Sequence, residues 1–223
     1  MIIAIDGPAG SGKSSTAKEV AAQLGITYLD TGAMYRAITL KSLRNKIAAT
    51  DDPSLEKLIL STEIGFSGSP PNIKVWMDGE DVSDAIRSDE VTKKVSDYCA
   101  PLVVRTALVE QQQKFGKNNS LVCDGRDIGT VVFPDAELKF FMVASAEERA
   151  KRRQKDFEKL GIKKSLLELQ DDLLLRDHKD STRVNSPLCK ANDAEEIDTT
   201  SMSFEKQVEY IVTKAKLIIN NSK

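Results

Sequence analysis

Residues 7–14 read Gly-Pro-Ala-Gly-Ser-Gly-Lys-Ser and fill every required place of the G-x-x-x-x-G-K-[ST] pattern. Glycines at 7, 10 and 12 free the backbone to turn successive amides toward one point, an anion nest at the amino end of a helix. Within the loop, Pro8, Ala9 and Ser11 complete the cradle and Ser15 follows it. Lys13 is placed to meet the β- and γ-phosphates of a nucleotide, and the Ser14 hydroxyl to ligate Mg²⁺. The plain alternative is a glycine-rich turn with a solvated lysine. Context weighs against it, because an apolar run, Ile2 to Ile5, precedes the loop and a helical pattern follows it.

The loop alone does not name a reaction. No Asn-Lys-x-Asp tetrapeptide of the guanine-binding kind occurs, and 223 residues are few for a large motor. The compact option is transfer of a γ-phosphoryl group to a second small molecule, which needs further positive charge opposite the loop. A nucleotide sensor without turnover is the alternative from another class. It has no evident need for a second set of arginines.

Thirty-two Lys and Arg against thirty-four Asp and Glu give a net charge of −2, so anion binding must come from local clusters. Nucleic acid is not the expected partner. A 40% hydrophobic and 30% charged composition is that of a globular chain. His178 is the single histidine, which removes Ser-His triads and histidine-rich metal sites. Cys99, Cys123 and Cys189 share no metal-type spacing and are expected to be buried thiols in a reducing compartment. No stretch reaches membrane-spanning length and no leader pattern opens the chain, so a cytoplasmic location is expected.

The elements that must position these residues emerge from periodicity. Ala17, Val20, Ala21 and Leu24 form one helical face closed by Gly25. Ile26 to Leu29 read as a second strand ending at Asp30, and Met34, Ile38 and Leu43 as the next helix. A βαβα start implies a parallel sheet. Between 51 and 88 Ile73, Val75 and Met77 alternate with polar residues among the turn signals Gly68, Pro70, Pro71 and Gly79, an antiparallel insert. Helical spacing resumes at Val91 and runs to Leu108 across Pro101, which must break or kink it. Leu121 to Cys123, Leu138 to Val143 and Glu196 to Thr199 complete five strands. Capping boxes at Ser145 and Ser165 start two helices, and Val208, Ile211, Val212, Ala215 and Ile219 line a last one.

IDGPAGSGKSSTAK, LDTGAMYR at 29–36, DGEDVSDAIRSDEV at 78–91, DGRDIGTVVFPDA at 124–136, SAEERAKRR at 145–153 and RDHKDSTR at 176–183 stand in one order along the chain. In these segments the chain resembles bacterial-type cytidylate kinases, nucleoside monophosphate kinases of the P-loop class. The resemblance implies an α/β P-loop kinase fold, a central five-stranded parallel sheet flanked by helices with a small antiparallel insert and a helical lid. It assigns residues 1–50, 89–148 and 165–223 to the core, 51–88 to the monophosphate-binding insert and 149–164 to the lid. The activity implied is transfer from ATP to CMP or dCMP, with Mg²⁺, by a monomer in pyrimidine nucleotide metabolism. Among small-molecule kinases, acceptors such as UMP, AMP or shikimate stay open.

By the same resemblance Arg36, Arg126 and Arg176 take the acceptor phosphate, with Thr31 beside them, and join Lys13 as catalytic residues. Asp127 and Ser96 would sit near the cytosine amino group, Arg105 and Arg183 toward its acceptor edge, and Asp180 on the ribose hydroxyls. Thr31 stands where family members often have serine, and Pro101-Leu102 differs from some versions of that helix. Taken singly, Arg36 reads as a solvated helix residue, Arg126 as a surface ion-pair partner, Asp180 with Arg183 as a helix-end pair and Ser96 as an ordinary polar helix position. Arg149 and Arg153, four apart on one helical face, are expected to reach the triphosphate or to belong to a solvated face. Asp124, ending a buried strand, is expected to face the waters of Mg²⁺ or to serve as an amino-terminal cap for the next segment.

Overall fold

The structure is a computed structural model and describes residues 1–70, 72–117, 119–159, 161 and 163–221. The first apolar run forms β1 (Ile2–Asp6), and the glycine loop leads into α1 (Lys13–Leu24). α1 buries Ala17, Val20 and Ala21 and ends at Gly25, whose φ of 64° lets its N–H reach back to the last turn. β2 (Thr27–Asp30) passes directly into α2 (Thr31–Arg44), with the Asp30 carboxylate accepting the Ala33 N–H at 2.9 Å as a cap.

Residues 51–88 hold more than the antiparallel insert expected. They open with α3 (Asp52–Leu60), capped by Asp51, started by a proline in its first turn and burying Leu55, Leu58 and Ile59. β3 (Ile64–Ser69), β4 (Asn72–Met77) and β5 (Glu80–Asp81) then form a three-stranded antiparallel sheet, followed by a 3₁₀ turn at Ala85–Arg87. Val75 and Met77 are buried as their alternation requires, while Ile73 is partly buried; Pro71 lies outside the described residues.

Pro101, which has no N–H to continue the ladder, separates α4 (Asp89–Tyr98) from α5 (Leu102–Gly116). β6 (Leu121–Gly125) is buried throughout and is followed by a π-type turn at Ile128–Val132 and by β7 (Leu138–Val143). α6 (Ala146–Lys159), α7 (Leu166–Thr182), β8 (Glu195–Asp198) and α8 (Phe204–Asn221) complete the chain. The capping box at Ser165 is complete. At Ser145 the hydroxyl accepts the Glu148 N–H, but the Glu148 carboxylate pairs with Arg152. Of the expected lid segment 149–164, residues 160 and 162 lie outside the described residues.

The main sheet is parallel in the order β2-β6-β1-β7-β8, with β1 at its centre. Successive side chains of β1 point to opposite faces, so Ala4 joins the core under α2 to α5 and Ile3 and Ile5 join the core under α1 and α8. A third cluster, Ala9, Ala150, Phe157, Leu169 and Leu173, packs the loop tip against α6 and α7. Cys99 and Cys123 are buried, but Cys189 is exposed, in the irregular stretch between α7 and β8. Among the described residues no helix is long and apolar enough to cross a membrane.

Two glycines separate crowding from backbone strain. A Cβ on Gly7 would lie 2.1 Å from the Met142 carbonyl oxygen, whereas one on Gly25 would meet nothing within 4 Å. Gly25→Ala should cost about 1 kcal/mol, the left-handed strain alone, and Gly7→Ala about 3 kcal/mol. Urea unfolding checks the order, and equal midpoints would contradict it.

Candidate active site

The carboxyl ends of β1, β2 and β6 meet below the loop, and three polar residues there form one network. Ser14 Oγ donates to Asp124 Oδ2 and Tyr28 Oη to Asp124 Oδ1, each at 2.6 Å. Thr31 Oγ1 donates to the Asp124 carbonyl oxygen at 2.6 Å. Burial, with Asp30 nearby, raises the Asp124 carboxyl above the usual range. These oxygens are the hard donors a divalent cation prefers. Among the described residues no group of three or more His, Cys, Asp and Glu side chains could hold a metal alone, so further ligands would come from phosphate and water.

Gly7, Gly10 and Gly12 all sit at positive φ, at 151°, 78° and 95°, which turns the loop amides inward. Lys13 is buried beneath them with Nζ donating to the Pro8 carbonyl at 3.0 Å. Burial, and then the nearby Arg126, push its ammonium down to about 7. Ala9, Gly10, Gly12, Ser14 and Ser15 line the cleft with Lys13; Gly7, Pro8 and Ser11, expected with them, do not.

Arg149 does not line the cleft. Its guanidinium donates to the Ala9 carbonyl oxygen at 3.0 Å and to the Ala144 carbonyl oxygen at 3.1 Å, and pairs with Asp177. Asp177 also accepts the Ala9 N–H at 3.3 Å, so both peptide groups of Ala9 are gripped from α6 and α7. Arg152, read in the sequence as part of a basic stretch over an anionic ligand, donates instead to the carbonyl oxygens of Ser11 and Thr199. Arg153 alone of the expected pair faces the cleft, its guanidinium 4.7 Å from the Phe157 ring centre.

Across the cleft the other expected residues come together. Arg126 Nε donates to Asp180 Oδ2 at 2.9 Å, and Ser96 Oγ to Asp180 Oδ1 at 3.1 Å. Arg176 Nε donates to Ser96 Oγ at 3.2 Å and lies 3.8 Å from Asp180. Burial would raise the Asp180 carboxyl, but Arg126 and Arg176 outweigh it and hold the group near 2. Arg36 reaches Thr92 Oγ1 at 2.9 Å, and burial with Arg176 nearby lowers it to about 9. Asp127 pairs with Arg105 and lies 3.8 Å from Arg183. Arg105 Nε, Arg183 Nη2 and the Tyr35 hydroxyl are buried without a hydrogen-bond partner.

Both groups line one cavity of about 1030 Å³, at the upper end of single-ligand pockets. Among the described residues its wall carries fourteen Lys and Arg against eight Asp and Glu. In a chain of net charge −2, that local excess fits a site for two anionic molecules.

A family model described as cytidylate kinase matches residues 3–217. The chain belongs to the cytidylate kinase family. A cytidylate kinase of Pediococcus pentosaceus is 46% identical over 221 residues, covering 99% of this chain and 96% of that one. A bifunctional pantoate ligase/cytidylate kinase of Trichormus variabilis is 51% identical over 215 residues, 95% of this chain but 40% of that protein's length. A gluconokinase structure from Sinorhizobium meliloti superposes with a TM-score of 0.51 at 12% identity over 98% of this chain and 93% of that one, a likeness of fold alone. The fold is that of P-loop kinases.

In this member of the cytidylate kinase family, sequence reasoning missed Asp6, Tyr28, Asp30 and Asp177. Asp30 carried a signal, because it stands at the carboxyl end of a strand beside the loop, where ligand-facing groups collect in open α/β sheets. Asp6 carried the same one.

Lys13 gives this site a measurable proton balance. Its lowered value leaves it mostly neutral at pH 8, and an anionic triphosphate beside it favours the ammonium form. Calorimetry at pH 8 in buffers of different ionisation heat should show up to about one proton taken up per ATP bound, and less uptake at pH 6. Proton release, or no buffer dependence, would contradict the assignment.

Proposed function

We propose that the chain transfers the γ-phosphoryl group of ATP to CMP and dCMP, giving ADP and CDP or dCDP. The supporting observation is a single cavity in which Lys13 and the loop amides face Arg36, Arg126 and Arg176, with unpartnered donors of Arg105 and Arg183 next to Asp127. One anion site without the other would suit a sensor. Two sites facing each other suit transfer between them.

In this reading ATP lies on residues 7–15 with Lys13 at its β- and γ-phosphates, and Arg153 closes over the chain of phosphates. Arg36, Arg126 and Arg176 hold the acceptor phosphate, whose oxygen is already a competent nucleophile near neutral pH, so no covalent intermediate is needed. Catalysis then rests on alignment, neutralisation of charge and exclusion of water. Ser14, and Asp124 through water, would hold Mg²⁺, which neutralises phosphate charge when bound. Arg149 acts on the loop through Ala9 rather than on the nucleotide. We assign residues 51–88 to the acceptor side and 149–164 to a lid over ATP, and place the monomeric enzyme in the cytoplasm, where both nucleotides and reduced thiols occur.

Cytosine presents an amino donor beside two acceptors. Asp127 offers an acceptor for that amino group, and Arg105 and Arg183 offer donors to the opposite edge; Asp180 and Ser96 take the ribose and amino sides. Uracil reverses the pattern at two positions and leaves buried groups mispaired, at about 1–3 kcal/mol for each lost bond. Steady-state ADP release with CMP, dCMP, UMP and AMP as acceptors tests the reading. CMP and dCMP should lead UMP by roughly ten- to hundredfold in kcat/KM, and Asp127→Ala should raise the KM for CMP and shrink that lead. Equal rates with AMP or UMP, or an Asp127→Ala variant that affects CMP and UMP alike, would overturn it.

A further inference from the structure

Asp6 ends β1 immediately before the phosphate loop, is buried, and does not line the cleft. Its two carboxylate oxygens accept the backbone N–H groups of Ile128 and Gly129 at 2.9 and 2.8 Å. Those amides open the turn Ile128–Val132, whose own bonds run from the Val131 and Val132 N–H groups to the Asp127 carbonyl. Leading N–H groups of a helical turn have no partner within it. Asp6 therefore supplies from a neighbouring strand what the turn lacks, and the register Asp6↔Gly125 places the two strand ends side by side.

The consequence falls on the two residues in between. Arg126 and Asp127 span the gap from the end of β6 to the turn that Asp6 holds, and their side chains diverge, Arg126 to Asp180 and Asp127 to Arg105. A rotation of the 127–128 peptide would carry the Asp127 carboxylate away from Arg105 and Arg183. The backbone there is close-packed from beneath: a Cβ on Gly129 would lie 3.2 Å from the Lys139 side chain and 3.5 Å from Asp6 Oδ2, so Asp6 holds the turn by contact as well as by its two hydrogen bonds. We propose that Asp6 is a positioning residue for the acceptor nucleotide, clamping the Ile128 and Gly129 amides so that Asp127 and Arg126 present the geometry that selects and holds CMP. The proposal rests on the reading of the cleft as a CMP site.

Asp6→Asn keeps the size and one acceptor oxygen but points an amide donor at a backbone N–H. The KM for CMP should rise about tenfold and the lead of CMP over UMP should shrink, while the KM for ATP stays within about twofold. A merely structural role would move both substrates together. Equal rises for ATP and CMP, or no rise for CMP, overturn the role of Asp6. Wild-type protein with no CMP-dependent ADP release overturns the underlying reading as well, so the two failures are distinguishable. Should the variant not fold, wild-type NMR decides: CMP should shift the Ile128 and Gly129 amide resonances and slow their hydrogen exchange, and unchanged amides overturn the proposal.

Discussion

Lys13, Arg36, Arg105, Arg126, Arg176 and Arg183 line one cavity with Asp124, Asp127 and Asp180 set among them, and the chain must keep these charges close without water around each. Removing one partner from such a buried pair typically costs about 3–5 kcal/mol, because the other charge is left uncompensated. The fold answers by supplying each carboxylate with at least one donor. Asp180 receives Arg126 and Ser96, Asp124 receives Ser14 and Tyr28, and Asp127 receives Arg105. The cations still outnumber the carboxylates. The excess is a standing attraction for phosphate, and it is felt at Lys13, whose ammonium is lowered by burial and then by the nearby Arg126.

Packing divides the arginines in and around the cleft into those left facing it and those that hold the frame. Arg149 and Arg152 have the charge to bind a triphosphate, but their donors are taken by the carbonyl oxygens of Ala9, Ser11 and Thr199. They fix the loop in the shape that aims its amides. Asp177 completes that grip from α7, the helix that also carries Arg176 and Asp180. The phosphate loop and the residues facing it across the cleft thus share the support of α7, which would suit a reaction whose rate depends on the distance between two phosphates.

Much of this was legible in the residues. The strand-loop-helix order, five parallel strands, the break at Pro101 and the Ser165 cap came from periodicity and local chemistry. α3 was hidden because Asp51 to Ser88 was read for its alternation, although Asp51 and the proline at position 53 mark a helix start. β3 escaped because Gly65, Ser67 and Gly68 interrupt its apolar positions. The spacing of Arg149 and Arg153 placed both on one helical face, but whether a face meets ligand or loop is decided by what packs against it, and local sequence does not carry that. Cys189 looked like a buried thiol on composition alone, but it stands exposed in the irregular stretch between α7 and β8. Asp6 and Asp177 act through backbone amides of distant segments, and a pattern of side-chain types does not register such partners.

Transfer between the two nucleotides requires their phosphate sites to face each other across one cavity. A single molecule that joins adenosine and cytidine 5′ to 5′ through five phosphates tests that directly in a calorimetric titration. One molecule should bind per chain and exclude both ATP and CMP. Binding that excludes ATP while leaving CMP affinity unchanged, or two molecules bound per chain, would contradict the facing arrangement.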